Sequence, residues 1–227
     1  MMKRFHVVFI SLLILAMSVS YGNTFYQFFG EDGAVSSGNS IQQTQDGGYI
    51  IVGSTTVKED ASGYPYDKDI LLIKTDSNGN EEWSKTFGGD ISGLGSCSGW
   101  EDHVKDYDVG NSVIEVNDSY GYGYVIVGYT NCYGSCGDAD MWLIKTDSNG
   151  DTCDYGSSGE CVDESAGTWV RKYGESSGND IGNDVIQTSD GGYVITGSTV
   201  SYSSDSYINA WVIKVDSFGN YKYSGHF

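Results

Sequence analysis

Two phrases recur three times along this chain, and this internal repetition constrains the fold more than any other feature. The first phrase reads DGGYIIVGST at 46–55, DGGYVITGST at 190–199 and, more loosely, GYVIVGYT at 123–130. The second reads ILLIKTDSNGN at 70–80, MWLIKTDSNGD at 141–151 and AWVIKVDSFGN at 210–220. Such repetition is typical of repeat architectures, in which each unit buries its apolar face against its neighbours. We therefore expect three equivalent units.

Each unit contains four short runs that we interpret as β-strands. In the first unit they are 40–44, 49–54, 70–75 and 82–87, rich in β-branched and aromatic residues and separated by Asp-Gly and Asn-Gly turn pairs. The second and third runs are almost continuously apolar, which predicts strands buried on both faces. The fourth run alternates and predicts an outer strand with one wet face. We align the fourth run of the last unit at 220–223. After the amino-terminal apolar stretch at 7–17, no segment has apolar residues at the spacing of an α-helix.

These phrases resemble the units of bacterial and archaeal β-propeller repeat proteins, over residues 24 to about 223. The resemblance implies an all-β, propeller-like array of about three four-stranded antiparallel blades at 38–89, 110–174 and 182–227, with one extra strand at 24–29. A β-sandwich of the same hairpins is the alternative. Closed propellers typically have about four blades or more. The array is therefore open, or is completed into a ring by a second copy, or is a piece of a longer array.

The amino terminus has the layout of a secretory signal peptide. Lys3 and Arg4 precede an apolar stretch at 7–17, and small residues follow it. The apolar stretch is shorter than the roughly 20 residues that a membrane-spanning helix needs. We expect a signal peptide at 1–22, a repeat domain at 23–227 with no membrane insertion after cleavage, and a secreted or cell-surface location.

The charge balance limits the classes of partner. The chain carries 12 basic and 31 acidic residues, for a formal net charge of −19. A surface of this sign repels phosphate backbones and anionic lipid headgroups. We therefore expect no nucleic acid partner, and an extracellular glycan or protein as the ligand.

Five cysteines lie in or beside the middle unit, at positions 97, 132, 136, 153 and 161. Cysteines of exported chains usually pair. Cys153 and Cys161 bracket a short flexible loop and are expected to bond to each other. Cys132 and Cys136 either pair, or one of them reaches Cys97. The odd count leaves one thiol free or bonded between chains.

Function in repeat proteins usually resides where the units differ. Three insertions break the repeat, all in the middle unit, at 90–108, 131–138 and 152–167. The first combines aromatic faces with hydrogen-bonding groups, a pattern that suits carbohydrates, peptides or cations. The candidate ligand-binding residues are Trp100, Glu101, Asp102, His103 and Tyr107. The alternative is a solvated loop whose tryptophan packs on the sheet.

The turns after the third strands resemble the first half of a calcium loop, because oxygen-bearing side chains occupy alternate positions. The candidate calcium ligands are Asp76, Asn78, Asn80, Asp147, Asn149 and Asp151. An ordinary hairpin turn explains the same residues without a metal. We expect no cofactor, and calcium at these turns is the alternative.

A lysine also recurs inside each apolar third strand, as Lys74, Lys145 and Lys214. An unpaired buried charge is costly, so each lysine needs a partner. We predict a structural ion pair in every unit, with the aspartate two residues further on. These aspartates are Asp76, Asp147 and Asp216.

No nucleophile elbow, zinc-protease motif or phosphate-binding glycine loop occurs in the sequence. We therefore predict a non-catalytic binding or adhesion module whose ligand contacts lie on the middle-unit loops. One alternative is a glycan-active hydrolase or lyase that uses carboxylates of the 90–108 insertion. Another is a structural element that associates with further copies through its open sheet edges.

Overall fold

A computed structural model describes residues 24–30, 33–59, 65–88, 106–131, 138–174, 178–201 and 207–226. These residues form an all-β structure without an α-helix, and the one helical turn is a 3-10 turn at Gly156–Ser158. Within these ranges, no helix is long and apolar enough to cross a bilayer. The predicted signal peptide at 1–22 lies outside the described residues.

The strands follow the predicted repeat. They are β1 (Ser36–Gln43), β2 (Tyr49–Glu59), β3 (Pro65–Thr75), β4 (Glu81–Phe87), β5 (Asp106–Asp118), β6 (Gly121–Thr130), β7 (Asp140–Asp147), β8 (Cys161–Asp163), β9 (Thr168–Tyr173), β10 (Asp180–Gln187), β11 (Tyr193–Thr199), β12 (Asn209–Val215) and β13 (Tyr221–His226). We call β1–β4 the first sheet, β5–β9 the middle sheet and β10–β13 the last sheet. Neighbouring strands within each sheet pair in antiparallel fashion.

The first and middle sheets are also joined edge to edge. A short parallel pairing connects Asp67 and Lys68 of β3 to Asp106 and Tyr107 of β5. Hydrogen bonding therefore makes one mixed nine-stranded sheet and one antiparallel four-stranded sheet. The sequence predicted antiparallel blades without this link. Within the described residues, the strands form neither a closed barrel nor a closed propeller.

Two apolar cores hold the sheets together face to face. One lies between the first and middle sheets and includes Val52, Leu72 and Phe87 on one side, with Ile126 and Trp142 on the other. The second core packs the opposite face of the middle sheet on the last sheet. Its largest fully buried side chains are Trp169, Tyr193, Trp211, Met141, Leu143 and Ile195. Because the middle sheet contributes to both cores, its inner strands are buried on both faces.

Burial follows the number of neighbouring sheets. Residues 123–128 of β6 and 141–146 of β7 are buried throughout, as their apolar runs predicted. In the last sheet, buried and more exposed residues alternate along β11 and β12. The reason is that only one face of the last sheet meets another sheet among the described residues. The alternation predicted for the fourth run is confirmed in β4, where Trp83, Lys85 and Phe87 are less exposed than Ser84 and Thr86.

Two strand predictions are corrected. Residues 24–29 form no strand, although Phe25 packs on Tyr49 with ring centroids 5.7 Å apart. In the last sheet, Tyr223 pairs with Lys214 in the way that Trp83 pairs with Lys74. Tyr223, and not Tyr221, is therefore the equivalent of Trp83, and the fourth strand, Tyr221–His226, is aligned two residues later than the prediction at 220–223 implied. The short strand β8, inside the third insertion, was not predicted.

Candidate functional site

The recurring lysines lie at one end of the sheets, and each forms an ion pair with an aspartate beside the hairpin turn between the first two strands of its unit. The pairs are Lys74–Asp46 at 2.7 Å, Lys145–Asp118 at 3.0 Å and Lys214–Asp190 at 2.7 Å. The prediction of one ion pair per unit is confirmed, but the predicted partners Asp76, Asp147 and Asp216 are wrong. A side chain on the same strand is farther from the amine than the turn of the adjacent hairpin.

The aspartates at 76, 147 and 216 hold their own turns instead. Oδ1 of Asp76 accepts hydrogen bonds from the amide nitrogens of Asn78 at 2.8 Å and Asn80 at 2.9 Å. Asp147 accepts the same two bonds from Asn149 and Asp151. The turn geometry therefore accounts for these residues without a metal.

Calcium at these turns stays a prediction. Among the described residues, no group of three or more histidine, cysteine, aspartate or glutamate side chains is arranged to hold a metal ion.

An open cleft of about 420 Å³ lies between the first and middle sheets at the lysine end. The first sheet contributes Asp46, Lys74, Glu82 and Trp83, together with Gln45. The middle sheet and its turns contribute Glu115, Tyr122, Tyr124 and Ser148. Aromatic faces and carboxylates therefore line one surface. Sites for polar organic ligands combine these two kinds of group.

Contacts between the sheets fix the walls of this cleft. The Trp83 and Tyr124 rings lie 5.7 Å apart at an interplanar angle of 59°. The amide nitrogen of Gln45 donates to Oε2 of Glu115 at 2.8 Å, and the amide nitrogen of Glu115 donates to Oε1 of Gln42 at 2.6 Å. Backbone groups of both sheets thus hold side chains of the other sheet in place, so the cleft is preformed.

Lys74 organises the charges of the cleft. Its amine donates to Oδ2 of Asp46 at 2.7 Å, to Oε2 of Glu82 at 2.9 Å and to the Thr75 carbonyl at 2.9 Å. The hydrogen bond from Lys74, with a further bond from Thr44, lowers the pKa of Asp46 to about 2. Burial favours the neutral amine, but the bonds to Asp46 and Glu82 outweigh this effect and raise the pKa of Lys74. The ion pair therefore stays charged across the physiological range.

The tyrosine of the cleft stays protonated. Burial, with a smaller contribution from the nearby Glu115 carboxylate, raises the pKa of Tyr124 well above its usual value. Its phenol is therefore available as a hydrogen-bond donor at any physiological pH.

The equivalent position between the middle and last sheets is more closed. Trp169 takes the place of Trp83 and packs on Tyr193 with ring centroids 5.8 Å apart. Trp169 is fully buried, and its indole Nε1 donates to the Ser217 carbonyl at 2.9 Å. Trp83 is only half-buried. Of these two junctions, only the one between the first and middle sheets therefore has a partly exposed indole.

The predicted loop site falls mostly outside the described residues. Trp100, Glu101, Asp102 and His103 belong to 89–105, which is not described. Tyr107 is half-buried on β5, and its amide nitrogen donates to Oδ1 of Asn131 at 2.6 Å. A ligand role for these five residues stays a prediction.

The third insertion is a packed element of the structure. Cys153 and Cys161 form the predicted disulfide, with Cα atoms 6.0 Å apart. Tyr155 lies edge-on to Trp142 at 5.4 Å, and burial raises its pKa to about 12. Its hydroxyl donates to the Gly88 carbonyl and accepts from the Gly88 amide, both at 3.3 Å. The insertion therefore attaches the middle sheet to the end of the first. Cys97, Cys132 and Cys136 lie outside the described residues.

Carboxylates at the opposite end of the sheets are buried. Asp108, the last acid of the first insertion, is fully buried, as is Asp180 at the equivalent position of the last sheet. Asp180 accepts a hydrogen bond from the Ser201 hydroxyl at 2.5 Å, and Asp140 pairs with Lys172 at 3.2 Å. Burial raises the pKa of Asp140, and the Lys172 charge opposes this shift. Asp108 and Asp180 therefore do not face an open surface, and Asp140 is half-buried.

No protein-family model matches the chain, and no curated protein is similar to it in sequence. The cleft was missed by reasoning from the sequence because its walls come from residues about 40 to 100 positions apart. One signal was present: an equivalent tyrosine lies in the second strand of every unit, at 49, 124 and 193, and a tryptophan recurs in the fourth strand of the first two units. Such pairs meet only when the order of the sheets is known.

Proposed function

We propose that this chain is a secreted or cell-surface, non-catalytic module that binds an extracellular glycan in the cleft between the first and middle sheets. The observation that carries the proposal is that the partly exposed rings of Trp83 and Tyr122 line the cleft beside the carboxylates of Glu82 and Glu115, while the ring of Tyr124, which packs on Trp83, is buried. Sugar rings present apolar C–H faces that stack on aromatic rings, and their hydroxyl groups donate hydrogen bonds to carboxylates. The proposal keeps the ligand contacts predicted for the middle-unit loops at 90–108 and 131–138, most of which lie outside the described residues.

The scaffold that we propose for this site is propeller-like. Three sheets that share four equivalent strands, with β8 added to the middle one, stack through equivalent faces, as blades do, and the same tyrosine-to-aromatic contact recurs at each junction. Strands of both sheets and the bonds between Gln45, Glu115 and Gln42 hold the cleft in one shape, which lowers the entropic cost of binding. A disulfide also fits an oxidising compartment and supports export.

Binding without catalysis fits the charges of the cleft. Glycoside hydrolysis needs a carboxylic acid whose pKa is raised so that it can donate a proton near neutral pH. The bond from Lys74 instead lowers the pKa of Asp46 to about 2, so this group stays ionised. Asp140, whose pKa is raised, lies at the opposite end of the sheets beside Lys172.

A glycan array screened with the mature protein tests the proposal, followed by calorimetry with the best ligand. Tyr122→Ala removes an aromatic face that is 41% exposed and should weaken binding about tenfold, or 1.4 kcal/mol. Tyr120→Ala is the matched control, because Tyr120 is 47% exposed two residues away and does not line the cleft. Equal affinities of the two variants would place the ligand elsewhere. Release of reducing sugar by the wild type would contradict the non-catalytic assignment.

A further inference from the structure

An asparagine in the first strand of each sheet links that sheet to the next one. Asn39, Asn111 and Asn183 each occupy a point where the register of the first strand shifts. Nδ2 of Asn39 donates to the Gly110 carbonyl at 2.8 Å, and Nδ2 of Asn111 donates to the Gly182 carbonyl at 2.8 Å. Asn183 is exposed, and within the described ranges no following sheet offers it an equivalent carbonyl.

The outer face of the last sheet is equivalent to the face of the middle sheet that packs on the last sheet. On the middle sheet, Ile114, Val125, Val127, Met141 and Leu143 pack on the last sheet. The equivalent residues on the outer face of the last sheet are Ile186, Val194, Thr196, Ala210 and Val212. Ile186 is 57% exposed and Val212 is 36% exposed. An apolar surface of this position and pattern therefore stays uncovered by the described residues.

The outer face of the first sheet is equivalent to the faces of the other two sheets that pack on a preceding sheet. Leu71, Ile73 and Ile51 occupy the positions that face the preceding sheet in the other two units. They line a cavity of about 180 Å³ together with residues of segment 24–30, and Leu71 and Ile73 are already buried there, at 8% and 4% exposed. Phe25 of that segment packs on Tyr49 at 5.7 Å, as Trp83 packs on Tyr124 at 5.7 Å. The segment thus takes the outer-strand position of a preceding sheet, and none of the described strands takes the three inner positions.

We infer that the last sheet of one copy docks face to face on the first sheet of a second copy of this chain. In this contact Asn183 donates to the carbonyl of Gly38 of the second copy, because Gly38 is the equivalent of Gly110 and Gly182. β10–β12 cover Ile51, Leu71 and Ile73, and β13 displaces segment 24–30 from the outer-strand position. The contact is head to tail, and because each copy supplies three sheets, two copies that make it twice form a closed ring of six sheets.

The proposed contact between copies would account for the self-association considered from the sequence. It lies at a different junction from the proposed glycan site. The net charge of −19 makes two copies repel each other. Added salt screens that repulsion and should therefore strengthen the association, whereas contacts between opposite charges would weaken.

Sedimentation equilibrium of the mature wild-type protein over a range of concentrations tests the inference. The expected result is a species of two copies whose dissociation constant falls with added salt. Val212→Asp should abolish the dimer, whereas Val162→Asp should leave it unchanged, because Val162 is similarly exposed, at 38%, but lies on β8. A wild-type protein that is monomeric at every concentration, or two variants with the same dissociation constant, would overturn the inference.

The three asparagines supply a second test that does not depend on the folding of Val212→Asp. Asn111→Ala should lower the melting temperature of the monomer, because it removes a bond between sheets of one chain. Asn183→Ala should leave that temperature unchanged and weaken the dimer about a hundredfold, because the ring contains this bond twice and the loss of each bond, about 1.4 kcal/mol, is tenfold. Phe25→Ala loosens segment 24–30 and should strengthen the dimer. Unchanged dimerisation in Asn183→Ala would rule out the proposed contact, while glycan binding by the same variant would still be informative about the cleft.

Discussion

Replacement of each recurring lysine by methionine removes the equivalent lysine–aspartate ion pair from one of the three units. The three pairs are buried to different extents. Methionine keeps most of the apolar stem and removes the charge. The loss of folding free energy should depend on how well water can solvate the carboxylate that remains. Lys74 and Lys145 side chains are each 4% exposed, and the Lys214 side chain is 19% exposed. The partners differ more, because Asp118 is 23% exposed, whereas Asp46 is 58% exposed.

These exposures give an order and a rough magnitude. Lys145→Met leaves Asp118 partly buried without its partner and removes the bond of 2.7 Å to the Gly167 carbonyl. The expected loss is about 3 kcal/mol, the lower end for a broken buried pair. Lys74→Met leaves the Asp46 and Glu82 carboxylates open to water. Most of the lost folding free energy, about 1–2 kcal/mol, then comes from the missing hydrogen bond to the Thr75 carbonyl. Lys214→Met should have the smallest effect of the three.

Urea denaturation of the three variants in one buffer, monitored by tryptophan fluorescence, measures these losses. Circular dichroism of the native baselines is the control for an unchanged strand content. The reasoning would be refuted by equal destabilisation of all three variants, or by Lys214→Met as the most destabilised.

Three further changes should have distinct results. Reduction of the Cys153–Cys161 bond, which spans 8 residues, should cost about 2 kcal/mol in the chain-entropy model, measured by urea denaturation with and without reductant. The pKa of Asp46 is lowered from 3.8 to about 2, so the stability that it contributes is present above pH 3.8 and is lost as the pH falls toward 2. Asp46→Asn should lack this acid-dependent loss when its stability is followed over the same pH range. Gly128→Ala places a Cβ against a carbonyl oxygen of β5 and should cost about 3 kcal/mol, and a melting temperature equal to that of the wild type would contradict this close approach.

The sequence predicted the strands well because their signals are local. Apolar runs, turn glycines and the repeat itself located every predicted strand of the three units, with the alignment of the last one to be corrected. The charge partner of Lys74 was mispredicted because it depends on the adjacent hairpin: Asp76 is nearer in sequence, yet its carboxylate is occupied by the amides of its own turn.

The cleft could not be predicted for a related reason. Trp83 and Tyr124 are 41 positions apart in the printed sequence and meet only because consecutive sheets pack face to face. No sequence pattern singled out Tyr155, although its hydroxyl bonds the third insertion to the carbonyl of Gly88. Residues that act between sheets become visible only when the order and the facing sides of the sheets are known.

Both the cleft and the stacked scaffold depend on one repeated contact. In it, each recurring tyrosine packs on an aromatic residue of the preceding sheet or segment. Nuclear Overhauser effects between aromatic ring protons of the mature protein in solution measure it directly. We expect cross-peaks for three pairs whose ring centroids lie 5.7, 5.7 and 5.8 Å apart: Phe25–Tyr49, Trp83–Tyr124 and Trp169–Tyr193. Absence of the Trp83–Tyr124 cross-peak, with contacts of Trp83 to the last sheet in its place, would contradict the order of the sheets and remove the proposed binding cleft.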